Sequence, residues 1–366
     1  MSSTDGGISL KRKYVAFGII LLFLGTCIIP SAPSEPTQGT RIITVDDEPG
    51  DADFTSVTEA VNASYPGDTI EVYSGTYYEG KIRITKENVS LLGISHELGG
   101  GNDSGQPFIK GIFGDGTKTA DIIQLVASHV TVSNFYIQNL GLEISDYYSC
   151  VRVGDELEKS AIEGCTISNC IVSRSIIGIF CYHVGSLDNT TIINNRLFDF
   201  QTFGMLIESD NDTTTEGDFT ISGNVIIDCH IGIYLMSDRE NVSGNSIRLC
   251  DFGITLHGNQ TIIYGNDFDN CSVGVCDYDL SAHDNVITKN NFKSYSRGKL
   301  WWAKPPSFLL TMLNIFGNKE WKQNYWDTWR GVGPKVVPGG FILGEKIPII
   351  WFSFDWRPAK EPYDIP

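Results

Sequence analysis

Residues 242–257 read VSGNSIRLCDFGITLH, and this stretch has close parallels on both sides. Residues 221–235 read ISGNVIIDCHIGIYL, and residues 262–277 read IIYGNDFDNCSVGVCD. Each contains an Asn, a short apolar run, a Cys, a Gly and a second apolar run, and the Cys residues recur every 21 positions. A repeat of this length indicates a solenoid, because one short turn can bury its apolar side only against the turns stacked on it.

The same frame can be followed along most of the chain. One Asn per turn aligns at Asn134, Asn169, Asn195, Asn224, Asn245, Asn266 and Asn291. A Gly follows eight or nine residues later at Gly178, Gly204, Gly232, Gly253 and Gly274. We expect the Asn side chains to hydrogen-bond at a corner of each turn, and the Gly residues to mark a bend or a close approach of the backbone.

Three Cys residues of the repeat occupy equivalent positions and form a ladder, Cys229, Cys250 and Cys271. Apolar strands flank each of them, which favours small side chains that fill the interior. A disulfide within the ladder and a metal-binding thiolate site are the alternatives.

The two ends of the repeat region differ from its middle. Residues 54–63 have helical spacing and precede several short strands, which predicts a helical N-terminal cap on an all-β fold. Residues 297–366 hold all seven Trp residues, and we predict a Trp-rich C-terminal cap because an open solenoid end exposes unpaired strand edges. An aromatic binding patch or a membrane-surface contact through residues 308–316 is the alternative.

The N-terminus carries a targeting pattern. Basic residues at 11–13 precede an apolar run at 14–29 and then Pro30. This predicts a signal peptide or an uncleaved membrane anchor at residues 1–30, a linker at 31–40, a β-helix at 41–296 and the capping region at 297–366. The chain is therefore expected outside the cell or on its surface, where residues 14–29 would hold it to the membrane if the leader is not cleaved.

Two further features bear on location and partners. Eight N-x-[ST] sequons predict a glycoprotein: Asn62, Asn88, Asn102, Asn189, Asn211, Asn241, Asn259 and Asn270. The net charge of −17 argues against a nucleic-acid partner, which requires a basic face. A polyanionic polysaccharide would require a locally basic cleft or bound calcium.

Two segments resemble a known family. The opening residues, ITVDD at 43–47, FTSVTEAVNASYPGDTIEVYSGTYYEGKIRI at 54–84 and NVSLLG at 88–93, resemble the N-terminal cap and first turn of the pectin-lyase-like superfamily. The NYWD at 324–327 resembles a signature that ends archaeal-type secreted or membrane-anchored β-helices. The turns resemble the parallel β-helix repeats of NosD-type proteins and of carbohydrate-binding and sugar-hydrolysis modules. The resemblance implies a right-handed parallel β-helix, but this scaffold carries lyases, hydrolases, adhesins and accessory proteins.

The NosD resemblance raises the possibility of copper, which the residues support weakly. The sequence contains neither C-x-x-C nor H-x-x-x-H, and it has only four Met residues. Soft thiolate, thioether and imidazole ligands are what copper requires.

The variable positions of each turn are the candidates for function. Four residues past each Gly stand Tyr182, Glu208, Met236, His257 and Tyr278, and two past it stand Phe180, Leu206, Tyr234, Thr255 and Cys276. Alternation along the strands predicts that these residues face outward. Aromatic rings beside carboxylates suit sugars, so we predict binding of polysaccharide or cell-surface glycan on the lateral face through Tyr182, Glu208, Tyr234, His257 and Tyr278. An ordinary solvated sheet face is the alternative.

Acidic residues leave the question of catalysis open. A polysaccharide-degrading glycosidase or lyase would use paired carboxylates, and the candidates are Glu208, Asp228 and Asp251. Calcium is a possible cofactor, with Asp267, Asp269 and Asp277 as candidate ligands or as a solvated acidic surface. A structural or adhesive cell-surface protein is a further alternative, with the solenoid as a stiff spacer.

Overall fold

The computed structural model describes residues 40–111, 121–139, 148–155, 160–183, 186–209, 217–277, 284–293, 320–343 and 347–365. Within these ranges no helix has the length and apolar character needed to cross a membrane. The predicted leader and most of the linker lie outside the described residues.

The chain forms a parallel β-helix with three faces, as the repeat predicts. The first face contains 11 strands in the order β1 (Ile42–Val45), β2 (Thr69–Val72), β5 (Ser90–Gly93), β8 (Thr131–Ser133), β12 (Thr166–Ser168), β15 (Thr191–Ile193), β17 (Thr220–Ser222), β20 (Asn241–Ser243), β23 (Ile262–Tyr264), β26 (Val286–Thr288) and β28 (Glu320–Lys322). Every described pairing on this face is parallel, because each turn brings the chain back in the same direction.

The other two faces form one continuous sheet, since two long strands bend from one face to the other. These strands are β13 (Ile171–His183) and β16 (Arg196–Ser209). The second face contains their first halves and β3 (Thr76–Glu79), β6 (Phe108–Gly111), β9 (Tyr136–Asn139), β18 (Val225–Ile227), β21 (Ser246–Arg248), β24 (Asp267–Asp269), β27 (Asn291–Lys293) and β29 (Tyr325–Trp326). The third face contains their second halves and β4 (Ile82–Ile84), β7 (Ile123–Leu125), β10 (Ser149–Val153), β19 (Ile231–Leu235), β22 (Phe252–Leu256) and β25 (Val273–Asp277). The short strands β11 (Ile162–Glu163) and β14 (Leu187–Asp188) pair separately.

The interior is filled by columns of like side chains about 4.8 Å apart, which is the spacing of hydrogen-bonded strands. One column of the first face is Val132, Ile167, Ile192, Ile221, Val242, Ile263 and Ile287, all fully buried. The Cys ladder is interior as predicted, since Cys229, Cys250 and Cys271 are at most 6% exposed. The described Cys residues form no disulfides with one another.

A column of buried Asn residues runs along the corner between the first and second faces. The Asn245 side chain donates to the carbonyl oxygens of Ile221 and of the Asn266 carboxamide, both at 2.9 Å. The members of the column are Asn195, Asn224, Asn245, Asn266, Asn290 and Asn324. The predicted structural role of Asn is therefore confirmed for the middle turns.

The predicted alignment of Asn is wrong at three positions. Asn134 and Asn169 lie one residue earlier, where φ is 67° and 55°, and three later turns have Gly223, Gly244 and Gly265 at this position. Asn291 lies in β27 opposite Asp267, and Asn290 takes the corner. Asn is compatible with the left-handed conformation and also with the corner position. The sequence alone therefore does not show which of two adjacent positions is the corner, and the strand pairing decides it.

The Gly column marks a close approach of neighbouring turns, as predicted. A Cβ atom on Gly232 would lie 2.6 Å from the carbonyl oxygen of Gly253, and one on Gly253 would lie 2.4 Å from that of Gly274. Lack of space, rather than a left-handed φ, therefore requires Gly at these positions.

Helix α1 (Val57–Ala63) caps the N-terminal end, and Val57, Ala60 and Val61 are its buried residues. It begins at Val57, later than the predicted residue 54, because the Ser56 side chain caps it by accepting from the Glu59 amide. Phe54 instead forms an isolated parallel bridge with Val45.

The C-terminal end is capped by aromatic residues and one buried carboxylate, as the Trp content predicts. Asp355, fully buried, ends the Asn column by accepting from the amide and side chain of Asn324 at 2.9 and 3.2 Å and from Trp326 Nε1 at 3.1 Å. The Trp326 ring stacks on Phe292, with centroids 4.2 Å apart. Beyond the cap, β30 (Lys335–Leu343) and β31 (Ile347–Asp355) form an antiparallel hairpin. Strands β28 and β29 extend the first two faces past the predicted boundary at 296, and Trp301 and Trp302 lie outside the described residues.

Candidate functional site

One outward column of the third face crosses eight neighbouring strands, and we call it the lateral column. Strand register aligns its members directly, turn after turn. They are Arg83, Gln124, Arg152, Phe180, Leu206, Tyr234, Thr255 and Cys276. The column is polar over the first turns and aromatic or apolar over the central ones.

The polar half of the lateral column is a largely buried network of charges. The Arg152 guanidinium lies 3.5 Å from Asp121, and both side chains are less than 10% exposed. Arg83 pairs with Asp155 at 2.8 Å, and Gln124 donates to the same carboxylate at 3.3 Å. Such a network presents oriented donors and acceptors without a large excess of either charge.

The aromatic half forms an apolar cluster outside the main core. Phe180 and Leu206 are 4% and 3% exposed, and Tyr182, Phe203 and Tyr234 pack against them with half-buried rings. The Phe180 and Tyr182 rings stack with centroids 6.0 Å apart. The Arg152 guanidinium lies 4.8 Å from the Phe180 ring and joins the two halves by a cation–π contact.

The structure places four of the predicted binding residues on this outer face. Tyr182 and Glu208 are direct neighbours on β13 and β16, and both are half-buried. Tyr234 belongs to the lateral column, and its ring lies 5.0 Å from that of His257. Tyr278 lies outside the described residues. The outward position is confirmed for these four, and glycan binding stays a prediction.

The three candidate catalytic acids do not converge on one point, although the backbones of Asp228 and Asp251 are neighbours. Asp251 precedes β22 and binds His230 Nδ1 at 2.8 Å, which makes an exposed pair across adjacent turns. Glu208 aligns with Met236 in the next turn and with His257 two turns on, at the other end of these strands from Asp251, and five residues of strand span roughly 16 Å. Asp228 occupies a left-handed corner with φ of 58° and directly precedes Cys229, whose carbonyl oxygen accepts from the Asp251 amide at 3.4 Å. Glu208 and Asp251 are thus too far apart for the carboxylate spacing of glycosidases, about 5–9.5 Å.

The candidate calcium ligands have other partners. Asp267, 8% exposed, binds Lys293 at 2.6 Å and accepts from Asn291 at 3.1 Å. Asp269 is half-buried and opposes Arg248 and Lys293 on the adjacent strands. The side chain of Asp277 lies outside what the structure describes. Calcium at these residues stays a prediction.

The sequence reading missed the polar half of the lateral column. Its residues are the central letters of apolar–polar–apolar triplets, such as Ile82-Arg83-Ile84 and Val151-Arg152-Val153. That alternation was a usable signal for outward side chains. It could not show that Arg83, Gln124 and Arg152 align, because long insertions separate their strands.

Comparison with known proteins gives one family and several similar folds. The family described as periplasmic copper-binding protein (NosD) matches residues 102–275 and, in an overlapping alignment, 153–331. The structure resembles a GH136 lacto-N-biosidase from Eubacterium ramulus with a TM-score of 0.52 and 13% identity, covering 69% of this chain and 56% of that one. Pectate lyase Pel9A gives a TM-score of 0.49 at 13% identity, covering 80% and 82% of the two chains. No curated protein matches the sequence.

The described residues do not fit a copper centre. In the described ranges, each group of three or more converging ligand atoms consists of carboxylates, whereas copper favours imidazole, thiolate and thioether ligands. Contacts with neighbouring thiols, together with burial, raise the pKa of Cys250 and Cys271 well above the ordinary range. These thiols hold protons that a bound metal would have to displace.

Proposed function

This chain belongs to the NosD family, and on that premise we propose that it binds glycan chains on its third face. The supporting observation is the outward-facing cluster of the half-buried rings of Tyr182, Phe203 and Tyr234, with the Arg152 guanidinium 5.9 Å from the Tyr182 ring. Aromatic rings stack on the apolar faces of sugars, and oriented charged groups hydrogen-bond to hydroxyls at the rim. The proposal rests on residues of this chain, because the parallel β-helix itself hosts many functions.

The charge of this surface favours a neutral glycan. Arg83 and Arg152 are each paired with a carboxylate, and Glu208 adds a further acid beside Tyr182. A polyanionic chain would meet these acids on a protein with a net charge of −17. Hydroxyl-rich neutral sugars are therefore the expected ligands, with binding that varies little with salt.

We include a non-cytoplasmic location in the same proposal. The family is described as periplasmic, and residues 1–30 carry the pattern of a signal peptide or anchor. Glycans of the cell surface or its surroundings would then be accessible to the third face. Attachment to the membrane through residues 14–29 is part of this proposal.

Glycan-array screening of the full chain, followed by calorimetry with the retained glycan, tests the proposal. Tyr182→Ala and Tyr234→Ala are each expected to weaken binding about tenfold, equivalent to ~1.4 kcal/mol. Tyr264→Ala is the matched control, since this Tyr is 44% exposed on β23 of the first face. The proposal fails if no carbohydrate is retained with or without calcium, or if the three variants bind equally well.

A further inference from the structure

Five carboxylates gather at the N-terminal end of the solenoid, away from the lateral column. Asp46, Asp47 and Glu48 directly follow β1, and Glu97 and Asp103 lie in the loop after β5. Strands β1, β2 and β5 are consecutive in the first face, so these loops leave the same edge of the sheet. Ligand atoms of Asp46, Asp47 and Glu48 lie within 4.8 Å of one another, and so do those of Glu48, Glu97 and Asp103.

The central carboxylates have buried oxygens without partners. Asp46 is fully buried, and neither of its carboxylate oxygens accepts a hydrogen bond. One oxygen each of Asp47, Glu48 and Glu97 is also buried and without a partner. A buried carboxylate that lacks both hydrogen bonds and a counter-charge is strongly unfavourable, so these oxygens need either a bound cation or shared protons.

The backbone holds these side chains in position. The Thr76 amide donates to Asp47 Oδ2 at 2.9 Å, and the Asp103 amide donates to Glu97 Oε2 at 3.1 Å. In both residues the oxygen that remains without a partner is the other one of the carboxylate. Gly75 leaves room for Asp47, since a Cβ atom there would lie 2.1 Å from Asp47 Oδ1.

The cluster lacks a basic partner in the described part of the chain. No described Lys, Arg or His forms an ion pair with any of the five carboxylates, and the nearby His96 ring packs edge-on against Tyr73. The five carboxylates therefore lie close together without a described counter-charge.

We propose that Asp46, Asp47, Glu48 and Glu97 bind a divalent cation of the calcium class, which links the loop after β1 to the loop after β5. Carboxylate oxygens alone suit a hard cation, and calcium accepts six to eight of them in flexible geometry. Asp103 lies beside Glu48 and Glu97 and is the fifth carboxylate of the cluster. The cation closes the first turns of the solenoid just below the cap formed by α1.

Terbium luminescence and calorimetry on the full chain test this site. Terbium replaces calcium at oxygen sites, and Tyr77 is positioned to sensitise its emission, since its hydroxyl lies 3.4 Å from the carbonyl oxygen of Val45, directly before Asp46. We expect terbium emission that calcium displaces, and a higher melting temperature in calcium than in EDTA. Asp46→Asn and Glu48→Gln are each expected to weaken calcium binding at least tenfold. Glu48 lies in a half-buried loop position, so its variant remains informative if the Asp46 variant does not fold.

Asp199→Asn is the matched control, because it removes an exposed acid that pairs with Arg174 at a corner of the solenoid, outside the cluster. It should leave terbium emission and calcium affinity unchanged. The proposal is overturned if calcium binding survives both cluster variants, if the Asp199 variant abolishes it, or if no emission develops at millimolar terbium.

Discussion

Glu240 is a buried carboxyl group, and its burial should make the stability of this solenoid depend on pH. It is 1% exposed at a corner of the turn, where the Phe219 amide donates to Oε2 at 2.8 Å and the Ser237 hydroxyl donates to Oε1. Burial is the main reason that the pKa of Glu240 rises from 4.5 to about 8, and the charges of Asp218 and Asp238 add to it. The folded protein should therefore hold Glu240 protonated at neutral pH.

The sign of the pH dependence follows from proton linkage. Between pH 4.5 and about 8 the folded state keeps the Glu240 proton while the unfolded state has lost it. The unfolded state binds fewer protons, so the free energy of unfolding decreases as the pH rises through this window. At ~1.4 kcal/mol per pKa unit, the cost reaches about 3 kcal/mol at pH 7 and about 5 kcal/mol above pH 8.

Glu240→Gln removes this titration and keeps both hydrogen bonds. The amide oxygen can accept from the Phe219 amide, and the amide nitrogen can donate to the Ser237 hydroxyl. We expect the variant to equal the wild type near pH 4.5 and to exceed it by about 3 kcal/mol at pH 7. Urea unfolding followed by Trp fluorescence between pH 4.5 and 8 measures the difference.

Asp199→Asn is the control for this experiment, since its carboxylate is 63% exposed and pairs only at the surface with Arg174. It should change stability by less than about 1 kcal/mol at any of these pH values. The reasoning is refuted if Glu240→Gln and the wild type lose stability in parallel from pH 4.5 to 8, or if the variant is the less stable protein at pH 7.

Three further predictions concern buried positions of the solenoid. Gly232→Ala should destabilise the protein by about 2–3 kcal/mol in urea unfolding, because the new Cβ would lie 2.6 Å from a backbone carbonyl oxygen of the next turn. Gly80→Ala, which has open space around it, should cost under 1 kcal/mol. Asn245→Asp should cost about 3 kcal/mol or more, since it removes the side-chain amide that donates two buried hydrogen bonds. The exposed Asn270→Asp is the control and should be nearly neutral. Burial raises the pKa of Cys150 to about 12, so alkylation followed by mass spectrometry should find this thiol unreactive until the protein unfolds.

The repeat made much of the fold predictable. A parallel solenoid stacks equivalent letters of successive turns, so the spacing alone identifies the Cys and Gly columns and the outward position of Tyr182, Glu208, Tyr234 and His257. The spacing alone cannot assign the corner position where two adjacent residues are of the same type. Asn290 and Asn291 both suit a corner, and strand pairing selects the first.

The candidate site was predictable only over the turns of regular length. Arg83, Gln124 and Arg152 belong to the same lateral column as Phe180 and Tyr234, but insertions between their strands hide the alignment in the sequence. Their burial and pairing depend on the carboxylates of neighbouring loops, which local patterns do not specify.

The sequence by itself determined the architecture of this protein, because burying one apolar face per turn forces the same pattern to return at a regular interval. The tertiary structure alone decided which charged groups meet. Asp46 and Glu97 are separated by most of two turns, and they converge because β1 and β5 flank β2 in one sheet and direct their loops to the same edge. Contacts of this kind depend on the strand order and on the path of the loops. The repeat in the sequence predicts neither of these for Asp46 and Glu97.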